Sequence, residues 1–417
     1  MTSGSAPGWQ EVAGHFTPDT PDTLGVAVSG GGDSLALLLL LNDWRLVGGP
    51  ELRVVTVDHG LRPEAADEAA GVARICAGLG LVHETLHWTG WDGQGNLSDQ
   101  ARRARYGLMA EWARAQGLRD IALGHTLDDQ AETFLMRLAR GAGVDGLSAM
   151  RARWRLGGVS FHRPVLGHSR AALRAMLVVR GQSWVDDPTN DDLAYTRVQA
   201  RRALAALGPL GLTAETLAGV ARQLADVRRT LYGYAHAAAR DHVKVHAGDL
   251  LIARAGLAAL PDEVARRLLQ AALLWINGAE YGPRGQAMTQ MLEAARSGET
   301  VTLQGCLMRA DGGDLRLTRE YNAVAGLRVP VGAIWDDRWQ TTGHDAEGAE
   351  IAALGAAGLR ACPDWRAGGL PHASAMACPG IWRGGELLAA PLLGWANGWT
   401  LCLIRGEEEL RAALLSH

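Results

Sequence analysis

The hexapeptide Ser29-Gly30-Gly31-Gly32-Asp33-Ser34 follows a short apolar run and precedes an apolar helical stretch. Three consecutive glycines let several backbone N–H groups approach one anion, because no Cβ stands in the way. A helix starting directly behind them, near Asp33, adds the partial positive charge of its dipole. Ser29 and Ser34 can donate hydroxyl hydrogen bonds, and Asp33 can hold Mg²⁺, which takes one or two carboxylates together with phosphate oxygens. A glycine turn without a ligand is the competing reading of three bare glycines. The strand, two serines, aspartate and helix all in register favour a pyrophosphate-binding loop. No Gly-Lys-Ser/Thr follows, and the only lysine of the chain is Lys244, so the loop is not of the Walker type. Cleavage between the α and β phosphates of ATP fits it better.

Four further segments carry chemically useful groups. VDHGLR, Val57 to Arg62, lies just past a second strand, where His59 and Arg62 would face a nucleotide; a satisfied surface histidine is the alternative. QARRARY, Gln100 to Tyr106, projects three arginines from one helix, as a solvated basic face would also do. GHTLDDQAET, Gly124 to Thr133, sets Asp128 and Asp129 four and three residues before Glu132, so these carboxylates can share one helix face. Acids at a helix start are also favoured by the dipole alone. Arg197 and Arg201 follow WVDDPTND, Trp184 to Asp191, whose Asp186 and Asp187 are candidate ion-pair partners for them.

These groups need a scaffold, and the first 205 residues supply it as alternating short apolar runs and helical patterns, the signature of consecutive βαβ units. Strands are expected at Leu24–Val28, Leu52–Val57, Leu81–Leu86 and Arg119–Gly124, with helices over Glu64–Gly78, about Ser98–Gln116 and about Leu127–Arg140. The expected fold is α/β, a mostly parallel sheet covered on both faces, with ligands at the carboxyl ends of its strands. From Thr213 the pattern predicts helices only, including one after Pro261 closed by Asn277 and Gly278, and then a hairpin around Gly312 and Gly313. Past Leu327 the chain is rich in Gly, Pro and Trp. The expected division is residues 1–208 for the ATP-binding domain, 209–320 for a small helical domain ending in the hairpin, and 321–417 for a mixed α+β domain.

Composition is that of a folded protein: 47% hydrophobic and 21% charged residues, in a chain of 417 residues long enough for two or three cores. The net charge is −4, yet Gly95 to Thr230 holds twenty arginines against thirteen acids, a local excess of seven positive charges suited to a phosphate-rich partner. Five scattered cysteines, Cys76, Cys306, Cys362, Cys378 and Cys402, form no CxxC pair and no disulfide framework, which fits a reducing cytoplasm. No leader pattern or membrane-length apolar stretch is present, so no membrane association is expected.

SGGGDS resembles the SGGxDS loop of the PP-loop ATPase superfamily, whose members adenylate an oxygen and expel pyrophosphate. With VDHGLR, ARRARY, GHTLDDQAET, RGAGVDGL (Arg140 to Leu147), RPVL (Arg163 to Leu166) and WVDDPTND in order, the chain resembles the tRNA(Ile)-lysidine synthetase family from about Leu24 to Arg202. The resemblance implies an adenine nucleotide alpha hydrolase-like domain with helical and mixed C-terminal domains that contact tRNA. It implies ATP and Mg²⁺ as cofactors, and an isoleucine tRNA with a CAU anticodon and free L-lysine as partners. O2 of the wobble cytidine would attack the α-phosphate, and the lysine ε-amine would displace AMP at C2, changing decoding from AUG to AUA. It assigns Ser29, Gly30, Gly31, Gly32, Asp33, Ser34 and His59 to the nucleotide, Asp33 to the metal, and Asp129 and Glu132 to lysine handling, with Asp128 as a further candidate. His125 would orient cytidine or adenylate, and Arg197 would contact phosphate. The chain departs from the family pattern at Thr126, where a second histidine is common, and at Val198, where asparagine is usual. A thiolation enzyme of the same superfamily would need reactive cysteines near the loop, and an inactive RNA adaptor would not need the carboxylates. Oligomeric state is left open, a homodimer included.

Overall fold

A computed structural model describes residues 7–60, 64–91, 94, 97–186, 196–283, 285–343 and 347–415. The chain divides into two compact units, Met1–Asp226 and Val227–His417.

In the first unit the elements run α1 (Trp9–Gly14), β1 (Thr23–Ala27), α2 (Gly32–Leu46), β2 (Glu51–Asp58), α3 (Glu64–Gly78), β3 (Val82–His87), α4 (Leu97–Ala115), β4 (Asp120–Leu123), α5 (Leu127–Leu138), α6 (Val144–Leu147), β5 (Arg153–Leu156), β6 (Val159–His162), α7 (Arg170–Val179) and α8 (Thr196–Leu207), followed by the start of α9 (Ala214–His242). The sheet order is β3-β2-β1-β4-β6-β5. All pairings are parallel except β5 with β6. The chain steps outward from β1 to β3 and then crosses to β4 on the other side of β1. The carboxyl ends of β1 and β4 therefore form a switch point where a crevice opens.

Alternation along the strands splits the apolar residues between two layers. Val54 packs with Leu24, Val26 and Leu173 on one face, while Val55 packs with Met109, Ile121 and Phe161 on the other. Helix α2 buries Leu35 and Leu37 to Leu41. A helix that is apolar all round belongs inside a protein, and α2 is the central one here. The structure adds the β5–β6 hairpin to the expected strands. It turns at Gly157-Gly158, both at positive φ, the geometry of a tight two-residue hairpin loop.

The second unit corrects the expectation of helices only after Thr213. Past α9 the chain forms β7 (Val243–His246) and β8 (Asp249–Ala253), then α10 (Arg254–Ala259), α11 (Asp262–Asn277), α12 (Gln286–Ser297), β9 (Val301–Leu303), β10 (Cys306–Asp311) and β11 (Asp314–Arg319). The strands build an antiparallel sheet in the order β7-β8-β11-β10-β9. Ala247 and Gly248, both at positive φ, make the β7–β8 turn that apolar periodicity alone passes over. The expected hairpin is present, with Asp311 opposite Asp314 across Gly312-Gly313. The remaining chain holds a four-stranded and a two-stranded antiparallel sheet with short helices. Among the described residues no single helix is long and apolar enough to cross a membrane.

Candidate active site

The loop after β1 is tied by its own serines. The Ser29 N–H donates to Ser34 Oγ at 3.1 Å, and Ser34 Oγ donates to the Gly31 carbonyl at 2.9 Å. Ser34 is thus a latch that shapes the loop, and its hydroxyl is already used. Gly30 sits at φ +86°, where a side chain would be strained. Gly124, at the end of β4, must also lack a side chain: a Cβ there would lie 2.8 Å from Ser34 Cα. Helix α2 begins at Gly32 with no side-chain cap. Its first amides have no carbonyl one turn earlier, so they remain available to an anion.

Three carboxylates converge beside this helix start. Asp33 comes from the first turn of α2, and Asp129 and Glu132 come from the first two turns of α5. They meet on Arg170, the first residue of α7. Its Nε–H donates to Asp33 Oδ2 (3.0 Å), Nη1–H to Glu132 Oε1 (3.1 Å) and Nη2–H to Asp129 Oδ1 (3.4 Å). Arg201 adds a bond to Glu132 Oε1 at 2.6 Å, and Arg197 stands 3.9 Å from Asp129 Oδ1. Burial pushes Asp33 above the ordinary carboxylate range and Asp129 adds to this, with Arg170 opposing. Burial would also raise Asp129, but Arg197, the Thr126 N–H and Arg170 hold it low. Asp33 Oδ1 and Glu132 Oε2 are buried with no hydrogen-bond partner among the described residues.

The cleft above the switch point has a volume of about 940 Å³. Of the residues expected to act, Ser29, Gly31, Gly32, Asp33 and Ser34 line it together with His59, His125, Asp129 and Arg197. Gly30 and Glu132 do not. Glu132 lies behind the wall with no exposed surface, clamped by two arginines. Asp128 is turned away as well: its Oδ2 accepts the Arg170 N–H at 2.7 Å and so caps α7. Asp128 thus meets the Arg170 backbone and Glu132 its guanidinium, so both hold α7 from α5 and neither lines the cleft. His59 packs edge-on against Trp88, and burial and Arg105 hold its pKa below the usual value. Of the three arginines in QARRARY on α4, Arg105 lines the cleft and Arg103 pairs with Asp99 at 3.0 Å. Asp186 pairs with Arg174, not with Arg197 or Arg201. Arg62, Asp187 and the segment from Pro188 to Asp191 lie outside the described residues.

Sequence reasoning missed Arg170 and Arg174, which both line the cleft from α7. One signal was present. An arginine in the first turn of a helix opposes the dipole, so its occurrence in HSRAALRAML asks for nearby carboxylates.

A model of the PP-loop domain matches residues 9–207. Over 414 residues, 98% of this chain and 99% of the relative, the sequence is 52% identical to the tRNA(Ile)-lysidine synthase of Ruegeria pomeroyi. The chain belongs to the tRNA(Ile)-lysidine synthase family. The enzyme of the same name from Bradyrhizobium is 40% identical over 74% of this chain and 87% of the relative. That from Wolbachia pipientis is 35% identical over 76% of each. Family membership gives the two departures a structural meaning. Thr126 is the N-cap of α5: its Oγ1 accepts the Asp129 N–H at 3.4 Å, while Asp129 Oδ2 accepts the Thr126 N–H at 2.9 Å. Val198 is buried on α8. No described cysteine lines the cleft. Cys76 is fully buried, and burial pushes its thiol up to about 11, opposite to what sulfur transfer needs.

Proposed function

We propose that the protein is an ATP-dependent ligase that joins free L-lysine to C2 of the wobble cytidine of a CAU-anticodon isoleucine tRNA, acting in the cytoplasm. The observation that carries this reading is the convergence, in one cleft, of an uncapped helix start behind SGGGDS with a carboxylate cluster a few ångströms away. The glycine loop and α2 receive the pyrophosphate part of ATP. Asp33 Oδ1, buried and unpaired, is suited to Mg²⁺, which would share phosphate oxygens. Bound there, Mg²⁺ supplies charge neutralisation for the departing pyrophosphate.

The cytidine O2 attacks the α-phosphate and pyrophosphate leaves; the lysine amine then displaces AMP. Asp129 is the carboxylate open to the cleft and receives the lysine ammonium. Glu132 supports it from behind by holding Arg170 and Arg201. Arg197 and Arg174, at the rim, offer guanidinium groups to phosphate. An anticodon loop presents its bases at low unstacking cost, so the cleft needs no machinery to open a duplex.

The test is incubation with an isoleucine tRNA carrying a CAU anticodon, Mg-ATP and labelled lysine. Label should enter the tRNA with one AMP and one pyrophosphate per lysine. Folded protein that leaves the tRNA unlabelled would exclude the reading.

A further inference from the structure

We propose that Arg163 is a positioning residue that locks His125 into the tautomer with its proton on Nε2, making the imidazole a fixed hydrogen-bond donor in the cleft and not a proton acceptor. His125 follows β4, directly precedes the capping Thr126, and lines the cleft with Asp33 and Asp129. The Nε–H of Arg163 donates to His125 Nδ1 at 3.2 Å. A guanidinium has donors and no acceptor, and it stays charged at every physiological pH. Nδ1 must therefore supply a lone pair, which leaves the ring proton on Nε2.

Arg163 has no freedom to turn away. It is buried, and its guanidinium carbon lies 3.9 Å from the centroid of the Trp154 ring. Trp154 in turn stacks on Phe161, with 5.2 Å between centroids and 19° between planes. Arg163 Nη1–H donates to the Arg151 carbonyl at 2.6 Å, and its backbone N–H to the Ala152 carbonyl at 2.8 Å. The β5–β6 hairpin thus carries the aromatic base on which the guanidinium rests.

The charges around His125 act in the same sense. Among the described residues Arg163, Arg105 and Arg197 lower its pKa and Asp129 raises it. Burial first, and Arg163 next, push the imidazole down to about 3, so it is neutral at working pH. A neutral Nε2–H donor serves an oxygen acceptor of the cytidine adenylate. It does not take the proton that the lysine amine sheds. This role rests on the proposed ligase reaction; the tautomer itself does not.

The deciding measurement is long-range proton–nitrogen correlation of ¹⁵N-histidine-labelled full-length protein between about pH 5 and about pH 8, with His125 assigned by loss of its signals in His125→Gln. The wild type should show the Nε2–H pattern and no titration. Arg163→Met should give mixed tautomers while the ring stays largely neutral, because burial, Arg105 and Arg197 remain, and lysidine formation should fall about tenfold, the effect of one hydrogen bond lost from the transition state. Arg163→Gln keeps a donor but no charge. It should retain Nε2–H with the ring still neutral, and where the methionine variant does not fold the wild-type tautomer itself decides the matter. An Nδ1–H wild type, a wild type that titrates in this range, or a folded Arg163→Met whose His125 spectra match the wild type would overturn the proposal. The spectra need no tRNA or lysine, so their failure is distinct from failure of the ligase assay.

Discussion

Asp33, Asp129 and Glu132 would repel one another if Arg170 were absent, and Glu132 has no solvent to compensate it. Their division of labour follows from which oxygens are left over. Asp129 faces the cleft and also caps α5 through Oδ2, whereas Glu132 faces only protein. Asp129→Asn keeps an oxygen for the Thr126 N–H but removes the charge. It should raise the lysine KM by at least about tenfold with a stability cost near 1 kcal/mol. Glu132→Gln leaves Arg170 and Arg201 facing a neutral group in a buried site, so it should cost about 3 kcal/mol in urea unfolding. Lysine titrations and denaturation curves on both variants check this. Equal KM effects with unchanged stability for Glu132→Gln would contradict the assignment. The spacing of Asp129 and Glu132 in GHTLDDQAET was enough to mark them as partners. It did not distinguish the cleft-lining carboxylate from the one enclosed by protein, because that depends on Arg170 and Arg201 arriving from α7 and α8.

At the scale of elements, the βαβ part was legible because apolar runs, glycine stops and helix periodicity agree there. Leu24 to Val28 forms β1 within one residue, and Glu64 to Gly78 forms α3 as expected. Short strands rich in charge were not legible. In RWRLGGVSFH and VKVHAGDLLIA the sheet forms because neighbouring strands supply partners, which no local pattern reveals. One side-chain chain binds three elements of the first unit. His15, just past α1, is 3.1 Å from His162 Nδ1 on β6, and His162 Nε2 is 2.9 Å from Asp120 Oδ1 on β4. His162 holds the Asp120 carboxyl below its usual range, so that contribution disappears only in strong acid. Burial first, and then His162 and Arg153, lower His15 from 6.5 to about 4. A histidine with a depressed folded pKa costs nothing above 6.5. Below that value the unfolded chain takes up a proton that the folded chain refuses, and stability falls until pH reaches about 4. His15→Gln should therefore flatten the acid limb: its urea midpoint should change less than that of the wild type between about pH 7.5 and about pH 5. Parallel pH profiles for the two proteins would remove His15 from this role.

At the scale of the whole molecule, a net charge of −4 and a polyanionic substrate are reconciled by segregation. The excess of seven positive charges between Gly95 and Thr230 is partly met by acids outside that stretch, since Arg170 pairs with Asp33 and Arg180 with Asp43, whereas Arg174 and Arg201 pair with acids already counted in it. Arg140, Arg202 and Arg222 are exposed on the same stretch of chain and can meet phosphates. Binding built on counterion release weakens linearly on a logarithmic salt scale, with a slope near the number of phosphates neutralised. For about four contacts, tRNA affinity should fall on the order of a hundredfold between about 50 and about 200 mM KCl. Binding of a non-hydrolysable ATP analogue in the enclosed cleft should change by less than about tenfold over the same range, since partly buried charges are screened less. Replacing Arg140 and Arg222, which are exposed and do not line the cleft, together by glutamine should lower the slope for tRNA by about two and leave the analogue's affinity within about threefold. Anisotropy titrations at several salt concentrations measure all three quantities. A slope for tRNA as shallow as that for the nucleotide would mean that the arginine-rich stretch is not the surface that holds RNA.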